Sequence, residues 1–381
     1  MLRTTFHGLN KILHGCGRGI ALAIAVAAVG APLGARAQTG SVSAPIGFLH
    51  VSCLANSDTY VSVPFTRTAE FNGIVQSVSG NVITVSGSTG WTPNQFVYAQ
   101  GAQAKTYYAI LTSGTAVSPK NGASYTVTAN SGTTLTLNLN GDDISGVPPG
   151  SAITVLPYWT LNTLFPPTDA GVSFTPSAGS SGRKRATQIL FPDFSDAGVN
   201  LAPPVGYYFY NGAWRQAGGD PTVDVGDTVI GLDGYIIVRN VSAATTLTVM
   251  GAVPLNPVTT PLSTQSNGQQ DNASALLRPI NVTLDNLGLM TSSAFAPSSG
   301  SSAKARADEL LVYDNTSAAI NKSAAAVYYY FNGAWRLDGG DPTVDVGSVA
   351  IPAGTGFTIR KAQTSNGASA MWENTATYTD N

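Results

Sequence analysis

The sequence predicts an all-β protein in which an N-terminal antiparallel barrel or sandwich precedes two tandem homologous repeats, each a small β-meander or sandwich. Short β-prone runs fill the chain after residue 37, and Gly, Asn, Asp or Pro separates them. No window there has the apolar periodicity of a helix. The stretch Tyr207–Gly226 returns as Tyr328–Gly347 with sixteen of twenty positions identical, which indicates a duplicated structural unit.

Residues 1–37 have the pattern of a secretory signal peptide. Basic residues precede the apolar run Ile20–Leu33, and Ala35–Ala37 (Ala-Arg-Ala) fits a small-x-small cleavage site. The apolar run is shorter than a membrane span, so an uncleaved anchor is the less favoured alternative. The pattern predicts a secreted, extracellular or cell-surface protein, with the periplasm as the alternative compartment and no membrane span after signal cleavage.

Residues 38–157 are predicted to form the N-terminal β domain. Alternating apolar and polar residues flank Gly80–Asn81, a pattern typical of a hairpin. Further short strands are predicted at Phe96–Tyr98, Tyr107–Leu111, Tyr125–Ala129, Thr134–Leu139 and Ala152–Leu156.

The two β repeats are predicted over residues 158–254 and 279–381. The polar residues 255–278 between them are rich in Asn, Gln, Ser and Pro, and indicate an exposed, flexible linker. In each repeat an Asn-Gly pair follows a run of aromatic residues and predicts a type I′ hairpin turn, at Asn211–Gly212 and Asn332–Gly333. The other repeat strands are expected at Thr187–Phe191, Thr228–Ile230, Tyr235–Arg239, Glu309–Tyr313, Val349–Ile351 and Gly356–Lys361.

The residue content argues against an enzyme. After residue 37 the chain holds one histidine, His50, and no nucleophile-elbow, P-loop or dinucleotide motif. Glu309 and Glu373 align with Gln188 and Ala252, so neither acid recurs in the repeat. Charged residues make up 10% of the chain, and no long basic face is present to bind nucleic acid. Cofactors are not expected.

Cys53 is the single cysteine after residue 37, so no disulfide framework is predicted within the mature chain. A lone thiol in an exported chain behaves most often as a small buried hydrophobe. Intermolecular pairing is the alternative.

The duplicated acidic residues lie in the loop Gly-Gly-Asp-Pro-Thr-Val-Asp-Val-Gly. Such a loop offers oxygen ligands to calcium, although it lacks the alternating acidic pattern of a dedicated calcium loop. Aspartates that form turns are the favoured interpretation, and calcium binding is the alternative. The four residues concerned are Asp220, Asp224, Asp341 and Asp345.

The duplicated aromatic hairpins are the candidate ligand-binding site. Consecutive aromatics on a strand point to alternate faces, and an exposed row stacks on sugar rings. The competing interpretation places one aromatic face in the core and the other against the neighbouring repeat. The arginine after each tryptophan either stacks on it or pairs with the first loop aspartate. The candidate residues are Tyr208, Tyr210, Trp214, Arg215, Tyr329, Phe331, Trp335 and Arg336.

Several stretches together resemble a family of exported proteins of unknown function, known mainly from Verrucomicrobia and relatives. They are Phe48–Phe65 (FLHVSCLANSDTYVSVPF), Phe71–Tyr98, Tyr158–Phe165 (YWTLNTLF) and the YYFYNGAWR block. The second copy, ending in PAGTGFTIRKA, is similar to modules of secreted bacterial surface proteins. The resemblance implies export and a β-rich architecture, and it carries no catalytic residues.

These observations favour a non-enzymatic, secreted or cell-surface protein with a structural or adhesion role, such as a subunit of an extracellular layer or fibre. Self-association through exposed β edges is the expected partner interaction. The alternative is a carbohydrate-binding protein that holds a polysaccharide on the duplicated aromatic hairpins. The burial of Trp214 and Trp335 separates the two hypotheses.

Overall fold

Antiparallel strands provide nearly all of the regular structure, and the all-β prediction is confirmed. The predicted signal peptide lies outside the described residues. The computed structural model describes residues 45–97, 106–168, 173–192, 196–374 and 378.

The chain forms two strands, β1 (Ile46–Cys53) and β2 (Ser57–Val61), and then enters a closed barrel. The order round the barrel is β3-β4-β7-β6-β5-β8, every pair is antiparallel, and alternate side chains fill the interior. The barrel strands are β3 (Phe71–Ser79), β4 (Val82–Val85), β5 (Tyr107–Thr112), β6 (Ser124–Asn130), β7 (Thr134–Asn138) and β8 (Ala152–Pro157).

After the barrel the chain returns to the strands that preceded it. We call β1, β2 and the elements below the first module, because β2 completes a five-stranded sheet of order β12-β11-β10-β14-β2 and β1 pairs with β15. The elements are β9 (Trp159–Thr160), α1 (Leu161–Leu164), a 3-10 helix (Gly182–Lys184), β10 (Thr187–Phe191), β11 (Val205–Tyr210), β12 (Ala213–Gln216), β13 (Val229–Ile230), β14 (Ile236–Asn240) and β15 (Thr245–Ala252).

The second module follows without an inserted barrel. Its five-stranded sheet has the order β21-β20-β19-β23-β17, and β16 pairs with β24 as β1 pairs with β15. Its elements are β16 (Val258–Leu262), β17 (Gln270–Ala275), β18 (Val282–Thr283), a 3-10 helix (Leu284–Leu287), a second 3-10 helix (Ala303–Ala305), β19 (Glu309–Val312), β20 (Ala326–Phe331), β21 (Ala334–Leu337), β22 (Ala350–Ile351), β23 (Gly356–Lys361) and β24 (Ala370–Asn374).

The barrel therefore interrupts the first module between β2 and β9. The chain enters and leaves at neighbouring points, since the Trp159 indole N–H donates a 2.9 Å hydrogen bond to the carbonyl oxygen of Phe65. Thr66 and Ala252 also exchange two backbone hydrogen bonds, which anchor the entry to the end of β15.

The structure differs from the sequence-based boundaries in two places. Residues 38–157 were predicted as one domain, yet β1 and β2 pair with strands of the first module, whose apolar core buries Val61 and Cys53. Residues 255–278 were predicted as a flexible linker, but they contain β16 and β17. Those two strands pair with β24 and β23, which satisfies their backbone groups despite a polar sequence.

The predicted hairpins are confirmed. Asn211 and Gly212 have φ values of 51° and 77°, and Asn332 and Gly333 have 51° and 76°, as a type I′ turn requires. The predicted strand at Phe96–Tyr98 is wrong for its described part, because Phe96 lies in a turn. Its N–H donates to the Asn130 side chain, and its ring fills the barrel core.

Candidate functional site

The aromatic hairpins lie with their tryptophans inside the modules. Trp214 is 0% exposed and Trp335 is 1% exposed. Trp214 packs against Phe165 and Phe174, and Trp335 packs against Phe295. Neither indole ring is available to stack on a sugar, so the geometry does not support a carbohydrate site at these rings.

The remaining hairpin aromatics also serve the scaffold. Tyr208 and Tyr329 are buried, and their rings lie 4.6 Å and 4.7 Å from the guanidinium carbons of Arg185 and Arg306. Arg185 lies two residues before β10 and Arg306 lies three residues before β19. The cation–π contacts of the described residues are therefore made by these arginines on tyrosines, not by Arg215 and Arg336 on the tryptophans. The strand-end residues Tyr210 and Phe331 are half-buried.

Arg215 and Arg336 are buried, at 7% and 6% exposure. The Arg215 Nε donates a 3.4 Å hydrogen bond to the carbonyl oxygen of Tyr210. Within the described ranges, neither arginine forms an ion pair with Asp220 or Asp341. The pairing considered from the sequence is therefore not made.

The duplicated aspartates shape their own loops. Asp220 accepts hydrogen bonds from the Thr222 N–H and hydroxyl at 2.8 Å and 2.7 Å, and these bonds lower the pKa of its carboxyl. Asp341 is bound by Thr343 in the same way.

Asp224 and Asp345 each accept the N–H of the residue two positions on, at 2.9 Å, which is an Asx-turn. Among the residues that the structure describes, no three His, Cys, Asp or Glu side chains are grouped to hold a metal ion. The geometry of all four aspartates is that of turn formation.

An ion pair between two strands recurs in each module, and sequence reasoning missed it. In the first module Arg239 binds Asp58 through Nε–Oδ1 and Nη2–Oδ2 contacts of 2.6 Å and 2.7 Å. In the second module Arg360 binds Asp271 at 2.7 Å and 2.9 Å. The duplicated arginines were visible in the sequence, but their acidic partners lie on β2 and β17, outside the obvious repeat.

Each ion pair is capped by a loop from the other module. The Asn321 side-chain oxygen accepts a hydrogen bond from Arg239 Nη2 at 2.5 Å, and the backbone N–H of Asn321 donates to Asp58 Oδ2 at 2.7 Å. Asn200 accepts from Arg360 Nη2 at 2.9 Å and donates to Asp271 at 2.7 Å. The two modules therefore lock each other through equivalent contacts.

The outer face of the ribbon formed by β1 and β15 is apolar and uncovered. Ile46, Phe48 and Met250 are 64%, 66% and 64% exposed, and Phe48 lies directly opposite Met250. His50 continues the face, with its ring against Phe48 and its Nδ1 2.8 Å from the Thr248 hydroxyl. We call these five residues the ribbon face.

Cys53 lies at the end of β1 and is 1% exposed, as the sequence favoured. Burial raises the pKa of its thiol to about 11, so the thiol stays protonated and unreactive at neutral pH.

Comparison with family models, with curated proteins and with solved structures gave no match. In the described part of the chain, no helix has the length and apolar character needed to cross a membrane.

Proposed function

We propose that this chain is an exported, non-enzymatic structural or adhesion-type protein that self-associates through the ribbon face, as a subunit of an extracellular layer or fibre. The observation that carries the proposal is the exposure of three large apolar side chains on one face of a two-stranded ribbon. Contiguous apolar patches of this kind mark interaction surfaces in exported and soluble proteins.

The second module contains the equivalent ribbon of β16 and β24, in which Met371 is 43% exposed. Met371, which lies 121 positions after Met250, is opposite Pro261 in the ribbon of β16 and β24. The barrel contacts the edge of that ribbon, because the Thr259 N–H donates to Gly122 at 3.0 Å and its hydroxyl donates to Asn121 at 2.9 Å. Among the described residues, no backbone hydrogen bond is made to the corresponding edge of β1, and the ribbon of the first module is more apolar.

No strand in the described part of the chain pairs with the outer edge of β1, and this edge favours a second copy of the chain as the occupant. Ile46 is opposite Ala252, whose N–H and C=O both bond to Thr66 on the far side of β15. This pair is therefore a non-hydrogen-bonded pair, and the backbone groups of Ile46 point away from β15. An apolar strand with an open edge pairs readily with its own copy in an antiparallel, isologous contact.

The experiment is to measure the mass of the full chain by light scattering after size-exclusion chromatography over a range of concentrations. We expect the parent chain to associate in a concentration-dependent way. The double variant Phe48→Ser, Met250→Ser is expected to lower the apparent affinity at least tenfold. A tenfold loss corresponds to about 1.4 kcal/mol, which is less than the stabilisation expected from burying two large apolar side chains. Val117→Ser is the matched control, since Val117 is 84% exposed and lies on the barrel. A strictly monomeric parent chain, or equal association of the double variant, would contradict the proposal.

A further inference from the structure

A cleft of about 740 Å³ lies where the barrel and both modules meet. The barrel contributes β6 and the loop after β7, the first module contributes the turn from Gly231 to Gly234, and the second module contributes β16, β17 and Met371. Its size is that of a small-molecule site, and junctions between domains are a common place for such sites.

The wall chemistry of the cleft is mainly neutral and hydrogen-bonding. Small apolar patches from Leu139, Pro261 and Met371 lie between the polar groups. Hydroxyls and side-chain amides both donate and accept, which suits a ligand that carries many hydroxyl groups. The polar neutral side chains include Ser124, Thr126, Asn138, Asn140, Ser263 and Ser369.

Two of the three carboxylates in the lining are already neutralised. Asp142 is bound by Lys120 at 2.5 Å and accepts the Tyr125 hydroxyl at 2.6 Å. Asp271 is held by Arg360. The remaining carboxylate is Asp233, so the lining has an excess negative charge and disfavours an anionic ligand.

Asp233 is the unusual group. The residue is half-buried, but its Oδ1 atom is inaccessible to solvent and has no hydrogen-bond partner among the described residues. The same is true of the Tyr108 hydroxyl, whose ring packs 4.6 Å from that of the cleft residue Tyr158. A buried carboxylate oxygen without a partner destabilises a fold, and such groups concentrate at functional sites.

In the second module the position that corresponds to Asp233 does not line the cleft. Gly354 lies 121 positions after Asp233, in the corresponding turn. Its carbonyl accepts the Ser62 N–H at 2.9 Å, and a Cβ atom there would lie 2.4 Å from Leu49. The turn of the second module thus packs directly on the first module, whereas the turn of the first module carries a carboxylate and lines the cleft.

We propose that the cleft binds a neutral saccharide, with a ligand hydroxyl donating a hydrogen bond to Oδ2 of Asp233, the carboxylate oxygen that is not enclosed, and the apolar patches packing against the sugar ring. This inference goes beyond self-association, because it assigns a ligand to a different surface. It also places carbohydrate recognition away from the aromatic hairpins.

The test uses the purified full chain and calorimetric titration with neutral di- and trisaccharides of glucose, galactose, mannose and N-acetylglucosamine. Glucosamine oligomers and oligogalacturonate serve as cationic and anionic comparisons. We expect at least one neutral saccharide to bind, and Asp233→Asn to weaken its binding by about tenfold to a hundredfold, because the charged acceptor of the hydrogen bond is replaced by a neutral one. Asp220→Asn, which changes an exposed turn aspartate of the same module, leaves the affinity unchanged.

A second variant, Ser369→Trp, adds bulk at the exposed rim of the cleft and is expected to abolish binding without changing the core. Failure of every neutral saccharide to bind overturns the proposal. Binding of the glucosamine oligomers alone overturns it in favour of a cation site, and neutral binding that both variants leave unchanged places the saccharide elsewhere. None of these outcomes depends on the oligomeric state of the chain.

Discussion

Asn200 and Asn321 make the same contact in opposite directions. Each side chain accepts a hydrogen bond from an arginine of the other module, from Arg360 Nη2 at 2.9 Å and from Arg239 Nη2 at 2.5 Å. Both asparagines have a φ of 54°, which asparagine tolerates better than most residues. Reciprocal contacts of this kind define an isologous interface, here between two modules of one chain.

Loss of Arg239 is expected to destabilise the protein strongly. Asp58 is 1% exposed, and Arg239→Ala leaves its carboxylate buried without a cation, which costs about 3 kcal/mol in the free energy of unfolding. Lys120→Ala is the control, because the Lys120–Asp142 pair is partly exposed and contributes at most about 1 kcal/mol. Urea denaturation measures the free energy of unfolding of both variants. Equal losses in the two would contradict the importance assigned to the Arg239–Asp58 ion pair.

Gly122 is expected to be essential for docking of the barrel. Its φ is +86°, and a Cβ atom would lie 2.7 Å from the carbonyl oxygen of Pro257. Gly87 also has a φ of +86° but no atom within 4 Å of its Cβ position, so Gly87→Ala carries only the backbone cost of about 1 kcal/mol.

Gly122→Ala also displaces the turn from β16. We therefore expect it to lower the free energy of unfolding by about 1–2 kcal/mol more than Gly87→Ala does. Hydrogen exchange at the Thr259 amide provides the local readout, since that N–H donates to Gly122. Unchanged protection of this amide in Gly122→Ala would contradict the assignment.

Two fully buried tryptophans should differ in their tolerance of phenylalanine. The Trp372 indole N–H donates to the carbonyl oxygen of Leu287 at 2.7 Å, whereas the Trp214 indole nitrogen is buried without a partner among the described residues. Trp372→Phe leaves an acceptor unsatisfied and is expected to cost about 1–2 kcal/mol more than Trp214→Phe. Thermal and urea unfolding of the two variants provide the comparison, and the reverse order would refute the hydrogen-bond argument.

The carboxyl of Asp233 should make the protein less stable as the pH rises. Burial raises its pKa from 3.8 to about 6, so between these values the folded state binds more protons than the unfolded state. The penalty is absent below about pH 4 and complete above about pH 6. A shift of this size corresponds to about 2–3 kcal/mol in the free energy of unfolding.

Asp233→Asn removes this penalty and is expected to be more stable than the parent at pH 7 and equal to it at pH 4. Asp220→Asn is the control, because the pKa of Asp220 is lowered and the sign of its effect is opposite. Unfolding measured at both pH values decides the matter, and a parent whose stability rises between pH 4 and pH 6.5 relative to Asp233→Asn would falsify the assignment.

Local patterns in the sequence predicted local structure well. The Asn-Gly turns and most barrel strands follow from short-range rules, since the turn conformation and the strand alternation depend on neighbouring residues. The limits of β23 at Gly356–Lys361 agree with the prediction. The all-β class follows from the same signals.

The pairing of strands that are distant along the chain could not be predicted from the sequence. The equivalent strands β2 (Ser-Asp-Thr-Tyr-Val) and β17 (Gln-Asp-Asn-Ala-Ser-Ala) share little sequence besides the aspartate that pairs with arginine. In addition, the barrel separates β2 in the chain from the other strands of its sheet. The polar composition of β16 and β17 is that of a linker, and the strands that pair with them lie 81–116 residues further along the chain, beyond the reach of local patterns. Asp233 occurs in one copy, with Gly354 at the corresponding position, so the duplication in the sequence does not indicate it.

The hydrogen bond between Trp159 and Phe65 joins the two points at which the chain enters and leaves the barrel, so the barrel is an inserted domain that can be exchanged. The host module holds the two crossing points of the chain together by its own bonds, so its sheet does not depend on what is carried between them. We expect the paired modules to tolerate exchange of the inserted domain, so a reporter or binding domain with adjacent termini fits at the same junction.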